Sequence, residues 1–243
     1  MTPPSPSPAP FDGHVIVVGG QCRKVGKTAL VVDLIRALDD FEWTAVKITP
    51  HAESTCPVNG PSCGCGPDEH TFAIREERDS TGNADTSRFL SAGAGRALWL
   101  EAKEGRIADG LASLAAALKQ AGQVIIESNA IVQFWRPDLF LMVVDPREAD
   151  FKPSARNAIA LVDAFVCHSP CFDAKANDPL LLAIENKPKW IHLLGQPIPK
   201  GVQILARQRI TPSPSDLKCG RRGRSELLAV DPNGDTKDNR RDL

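Results

Sequence analysis

The chain has almost no net charge: 29 basic side chains stand against 30 acidic ones, which gives it no global attraction to nucleic acid or to anionic lipid. It lacks any apolar run near the roughly 18 residues that a membrane helix needs, so no membrane association is expected. Its first dozen residues, with Thr-Pro-Pro-Ser-Pro-Ser-Pro-Ala-Pro, contain neither the basic residues nor the apolar core of a signal peptide. They read as a flexible, polyproline-like lead-in to a cytoplasmic protein. No internal repeat is visible. The seven cysteines are odd in number, and three of them crowd between residues 56 and 65, a clustering that in a cytosolic chain favours metal over disulfides.

What the chain does have is alternation. Apolar segments recur at His14 to Val18, Thr44 to Ile48, Ala97 to Leu100, Gln123 to Glu127, Leu139 to Asp145, Ala164 to Cys167 and Trp190 to Leu194. Helical patterns fall between them, near 27–39, 84–93, 105–121, 153–162 and 177–186. Asp85-Thr86-Ser87 and Lys152-Pro153 suit helix starts. Such alternation predicts an α/β fold, a three-layer α/β/α sandwich around a mostly parallel sheet. The expected organisation is a disordered lead-in over 1–12, one domain over 13–206, and a largely disordered tail over 207–243, rich in Pro, Ser, Arg, Asp and Gly.

Residues 15 to 28 read Val-Ile-Val-Val-Gly-Gly-Gln-Cys-Arg-Lys-Val-Gly-Lys-Thr, a strand running into a glycine loop that opens a helix. The backbone N–H groups of such a loop, aided by the helix dipole, cradle a polyphosphate; the lysine reaches the outer phosphates and the threonine hydroxyl ligates Mg²⁺. The expected nucleotide-binding residues are Gly20, Gln21, Cys22, Arg23, Lys24, Val25, Gly26, Lys27, Thr28 and Ala29. The spacing departs by one residue from the usual loop, because Gln21 stands five positions before Gly26 and the glycine is Gly20. The Asn-Lys-x-Asp run that reads guanine is absent after Ala164-Phe165-Val166, where Cys167-His168 stands, so the ligand is GTP or ATP.

Phosphate chemistry needs an acid at a strand end beside the loop, to hold Mg²⁺ or to orient water. Glu127 ends Val124-Ile125-Ile126, where a carboxylate is costly without a partner, and is the expected Mg²⁺ and catalytic acid alongside Thr28 and Lys27. Asp145 ends Leu141-Met142-Val143-Val144 in the same way, but it precedes Pro146 and reads equally as a turn residue.

Further blocks give the chain a family likeness. Lys47 and His51 follow the second strand. Asp79, Gly82, Asp85, Thr86 and Arg88 precede Ala92-Gly93-Ala94, and Glu127-Ser128 ends a later strand. In this order the sequence resembles the MobB-type adaptor proteins of molybdopterin guanine dinucleotide synthesis over about residues 14 to 145. It departs from them in Ile48, in one extra residue between Gly82 and Asp85, and in Ser128. The loop spacing itself resembles that of dethiobiotin synthetase, within the same broad P-loop class that includes metallochaperone GTPases. The resemblance implies a P-loop NTPase, an accessory protein with slow Mg²⁺-dependent hydrolysis in metal-cofactor assembly, in which Asp79 or Asp85 completes the shell around Glu127. It also implies a cofactor-assembly protein as partner and the option of a homodimer. The deviant loops of this class place a trans-acting lysine where this chain has Cys22. The alternatives are an ATP-dependent ligase or small-molecule kinase resembling dethiobiotin synthetase, and a nucleotide-gated interaction module.

Between the second strand and the Asp79 block lies an insertion over 51–70, with three thiols and two imidazoles among Gly and Pro. Cys56, Cys63 and Cys65 with either His51 or His70 can supply a tetrahedral Zn²⁺ site, or with another ligand an iron–sulfur cluster. The basic run Lys218 to Arg224 reads as a solvated tail.

Overall fold

The computed structural model describes residues 6–145, 147–148, 150–168, 184, 186–193 and 195–211. Its strands are β1 (Ser7–Pro8), β2 (His14–Gly20), β3 (Trp43–His51), β4 (Phe72–Glu77), β5 (Arg96–Lys103), β6 (Gln123–Glu127), β7 (Trp135–Arg136), β8 (Leu139–Val144), β9 (Ala164–Cys167) and β10 (Lys189–Ile191). The helices are α1 (Lys27–Ala37), α2 (Asp85–Ser91), α3 (Ile107–Ala117), α4 (Pro153–Ala158) and α5 (Lys200–Ile210). Eight strands form one sheet in the order β10-β9-β8-β2-β6-β3-β5-β4, and only the β4–β5 pairing is antiparallel.

The central strands are apolar at consecutive positions because both of their faces are covered. Val15 and Val17 point into the layer of α3 and α4, whereas Ile16 and Val18 point into that of α1, α2 and α5. Strand β8 divides likewise, with Phe140, Met142 and Val144 on the first face and Leu139, Leu141 and Val143 on the second. Helix α1 seats Leu30, Val31, Leu34, Ile35 and Leu38 against the sheet at helical spacing. The result is the expected three-layer α/β/α sandwich around a mostly parallel sheet.

Three details differ from the sequence reading. The lead-in is not free of structure from Pro6 onward: Ser7–Pro8 pair in parallel with Trp135–Arg136, and Phe11 packs edge-on against Trp135 at 5.8 Å. Strand β4 was not expected, because Phe-Ala-Ile-Arg-Glu-Glu offers only one half-buried apolar face at the sheet edge. Helix α5 crosses the expected boundary at 206, since Val202, Ala206 and Ile210 bury one stripe at i, i+4 and i+8. The helix expected at 177–186 lies outside the described residues apart from Ile184 and Asn186, and the tail beyond Thr211 lies wholly outside them.

Leu34 is fully buried between α1 and the sheet, whereas Ile204 on α5 is 57% exposed. Leu34→Ala should therefore lower unfolding free energy by about 2–5 kcal/mol, and Ile204→Ala by no more than about 0.5 kcal/mol, in urea titrations.

Candidate functional site

Strand β2 lies between β6 and β8, so the loop that follows it emerges at the carboxyl edge of the sheet's centre. The turn into α1 needs a left-handed residue, and Gly26 supplies it with φ 98°. Gly20 is required for a different reason: a Cβ there would stand 2.6 Å from the Lys27 and Val25 side chains. Lys27, Thr28 and Ala29 open α1, and no side chain caps its N-terminus. The N–H groups of that first turn have no intrahelical acceptor and face the loop's mouth, an arrangement suited to an anion.

The loop is anchored by two side chains. Asn129 clasps Gly20, accepting from its N–H at 2.7 Å and donating to its carbonyl at 2.9 Å. Gln21 is buried and turned away from the mouth. Its amide donates to the Glu148 carbonyl at 2.6 Å, its side-chain oxygen accepts from the Asp145 N–H at 2.8 Å, and its own N–H is taken by Val143. Gln21, placed by sequence among the nucleotide ligands, thus spends its polar groups on joining the loop to the segment after β8.

Cations gather at the loop's mouth, where Arg23, Lys24 and Lys152 line one cavity with Asp145, Glu148 and Asp150. Lys27 Nζ folds back onto the Cys22 carbonyl at 3.4 Å, and burial pushes its pKa below the lysine norm against the pull of Glu127. Burial, then Lys27 and Arg23, lowers the Lys152 pKa too. A cavity of about 590 Å³ opens between Cys22–Val25 and Asp145, Glu148, Asp150 and Lys152. The Cys22 thiol is pushed up by burial and by Glu148, against the pull of Lys27 and Lys152.

Beside the loop, strand register assembles a polar chain. Glu127 pairs in register with Val18 of β2 and Lys47 of β3. Its carboxylate, 5% exposed, accepts from the Thr28 hydroxyl at 2.7 Å and from Lys47 Nζ at 3.2 Å. Lys47 also pairs with Asp85 at the start of α2. Burial works against its charge, but Glu127 and Asp85 outweigh it and raise the pKa, so Lys47 is an ammonium. Asp79 is not part of this group: its carboxylate is held by the Thr81 hydroxyl and N–H in an exposed turn, and Thr81 keeps its pKa low. Asp145 is the turn residue of the two readings, bound by the Arg147 guanidinium at 2.7 and 2.9 Å.

The insertion gathers some of its expected ligands. Cys56, Cys63, Cys65 and His70 bring one ligand atom each to within 4.8 Å of one another. His51 is elsewhere, with Nε2 2.8 Å from Glu101. Hydrogen bonds from Asn59 and His70 bring the Cys63 thiol down to about 6.

Sequence reasoning missed Asn129, a lone amide after a strand with no motif to mark it. It named Lys47 for likeness alone; the apolar residues around a lysine in Thr44-Ala45-Val46-Lys47-Ile48 were a usable signal that it needs a buried partner.

No protein-family model matches the chain, and none of the curated proteins does. Among solved structures it is similar to LpxK from Aquifex aeolicus in complex with ATP, at 17% identity over 74% of this chain and 54% of that one, with a TM-score of 0.43. HypB from Helicobacter pylori in complex with nickel is 13% identical over 81% and 84%, with a TM-score of 0.44. The signal recognition particle receptor FtsY from Elizabethkingia anophelis in complex with GDP is 14% identical over 83% and 65%, with a TM-score of 0.35. The chain spans about half the length of LpxK.

Asn129→Ala should strip both partners from Gly20. The expected cost is about 1–3 kcal/mol of stability, read by urea unfolding, with Asn129→Asp recovering only the accepting half.

Proposed function

We propose that this chain binds a nucleoside triphosphate with Mg²⁺ at the Gly20–Ala29 loop, hydrolyses it slowly, and acts as an accessory protein in assembling or inserting a metal-containing cofactor of the molybdopterin type. The observation that carries the nucleotide reading is the hydrogen bond between Thr28 on the open end of α1 and Glu127 on the neighbouring strand. It brings a hydroxyl and a carboxylate together beside uncapped helix N–H groups and a lysine whose charge is disfavoured by burial. Oxygen donors of this kind fit Mg²⁺, which prefers one or two protein oxygens together with phosphate.

In this reading the first-turn N–H groups and Lys27 hold the phosphates, and Lys27 stabilises the charge that builds there during transfer. Mg²⁺, when held by Thr28 and Glu127, supplies charge neutralisation on the phosphate oxygens. Lys47 keeps Glu127 ionised and aimed at Thr28, while Asp85 keeps Lys47 in place. The cavity beside Cys22–Val25 offers room for the rest of the nucleotide.

The cofactor-assembly part rests on the MobB resemblance. It is supported by the convergence of three of the matched blocks, since Lys47, Asp85 and Glu127 meet although they are far apart in sequence. A cofactor-assembly protein as partner, a homodimer and a cytoplasmic location belong to the same proposal. Among the described residues, no helix is long and apolar enough to cross a membrane.

Lys27→Ala should abolish tight triphosphate binding in calorimetry and leave the thermal transition in place; unchanged affinity would sink the nucleotide assignment. Glu127→Gln should retain binding but lower turnover by about 10²-fold or more. Hydrolysis at the parent rate in that variant would reduce Glu127 to a structural strand end. Turnover that requires an added small-molecule acceptor would favour the ligase or kinase alternative.

A further inference from the structure

Outside the proposed nucleotide site, the described residues bring thiols and an imidazole together in the loop between β3 and β4. Cys56 Sγ lies 3.6 Å and Cys63 Sγ 3.8 Å from His70 Nδ1, and all four ligand atoms, including Cys65 Sγ, fall within 4.8 Å of one another. A tetrahedral zinc ion with Zn–S of about 2.3 Å and Zn–N of about 2.0–2.1 Å sets its sulfur and nitrogen ligands about 3.6 Å apart. The two sulfur–nitrogen separations thus already match such a tetrahedron, and the third sulfur lies within 4.8 Å of the others. His70 reaches its place from a left-handed backbone, φ 47°, a region that histidine tolerates better than most residues.

We propose that Cys56, Cys63, Cys65 and His70 bind one Zn²⁺ as a closed structural site that fixes this loop to the edge of the sheet. Each sulfur receives a donor of the kind that stabilises a thiolate: the Asn59 N–H on Cys56 at 3.3 Å, the Asn59 amide on Cys63 at 3.5 Å and the Lys103 ammonium on Cys65 at 3.8 Å. Three thiolates and one neutral imidazole leave the loaded site with one net negative charge. Lys103, only 3% exposed, supplies the opposite charge beside Cys65.

The same lysine joins the loop to the fold. From β5 it donates to the carbonyls of Gly66, Pro67 and Glu69, at 2.7, 3.2 and 2.8 Å, in the stretch between Cys65 and His70. From β4, Arg75 donates to the carbonyls of Pro57 and Val58, next to Cys56. A loop of Gly, Pro and polar residues has little apolar surface with which to hold this shape. Four protein ligands supply that hold, and they leave no open position for substrate or for rapid transfer of the ion. As the metal binds, each ligand thiol still protonated gives its proton to solvent and its sulfur lone pair to zinc.

This inference is independent of the nucleotide reading, and its test keeps the two apart. The full chain, produced without an affinity tag in zinc-supplemented medium and freed of loose metal, should contain about one zinc per chain, which the C56S/C63S/C65S triple variant should lose almost completely. Lys27→Ala should keep its zinc whether or not it binds nucleotide. His70→Cys should retain zinc, and His70→Ala should lose it to a chelator faster. To cover misfolding of the triple variant, the parent chain is demetallated and titrated with Co²⁺ alone, which should develop the intense visible bands of a tetrahedral thiolate-rich site. Zinc content unchanged in the triple variant, a metal-free parent chain, iron with inorganic sulfide, or a disulfide among the three cysteines would each overturn the proposal.

Discussion

The carboxylate of Glu127 is the constraint around which the site is arranged. It sits at the end of a strand buried on both faces, where an ionised carboxylate without partners is costly. Thr28 and Lys47 meet that need from the two strands' worth of structure on either side: one from the helix that follows β2, the other from β3. Each partner brings its own demand. Lys47 is itself mostly buried and needs Asp85, which places the start of α2 against the end of β3. Because its folded pKa is raised, its pairing contributes fully at neutral pH and is lost only as pH climbs through that raised value. A net contribution to stability from such a buried network is small, while breaking it is expensive, so its value lies in position rather than energy.

The phosphate loop depends on a second constraint, satisfaction of its backbone. Gly20 ends β2 beyond the last pair with β6, and Asn129 takes over both of its polar groups on that side. Gln21 then makes four hydrogen bonds: its N–H to Val143 at the end of β8, and its side chain and carbonyl to Asp145, Glu148 and Lys152 in the segment that follows. The glycine of the usual spacing would leave the loop without these side-chain bonds. The shift of that glycine to position 20 and the glutamine at 21 are therefore one adaptation: the first gives room to Lys27, and the second fixes where the loop begins.

The sheet's centre was legible in the sequence because its strands are continuous apolar runs and its first helix has a clean buried stripe. The edges were not, for physical reasons. Strand β4 has one covered face and charges on the other, and its pairing with β5 comes from a distant segment. Helix α5 was obscured by the polar residues that surround its buried stripe. At the site, Lys27, Thr28 and Glu127 were readable because a glycine loop and a buried strand end impose local chemistry. Of the alternatives Asp79 and Asp85, the second meets Lys47, whereas Thr81 takes the carboxylate of the first, a difference that motif order does not reveal. His51 and His70 were equivalent by spacing, and only the pairing of β3 with β5, which brings His51 against Glu101, separates them.

Strand β3 links the two clusters of chemistry. Lys47 contacts Glu127 on one side of the strand's run, and four residues later His51 ends the strand against Glu101, where the cysteine loop begins. Glu101 is also held by Arg75, the residue that grips the loop at Pro57 and Val58. Hydrogen bonds, ion pairs and one strand therefore connect the glycine loop to the thiol cluster. Rigid strands transmit displacement poorly unless an element along them has two arrangements. Here the candidate for such an element is the loop itself, whose polar and glycine-rich composition gives it little order of its own, while the sheet beneath it is set by apolar packing. The contacts of this loop run to Lys103 of β5 and Arg75 of β4, at the sheet edge, whereas the glycine loop is held separately by Asn129 and Gln21.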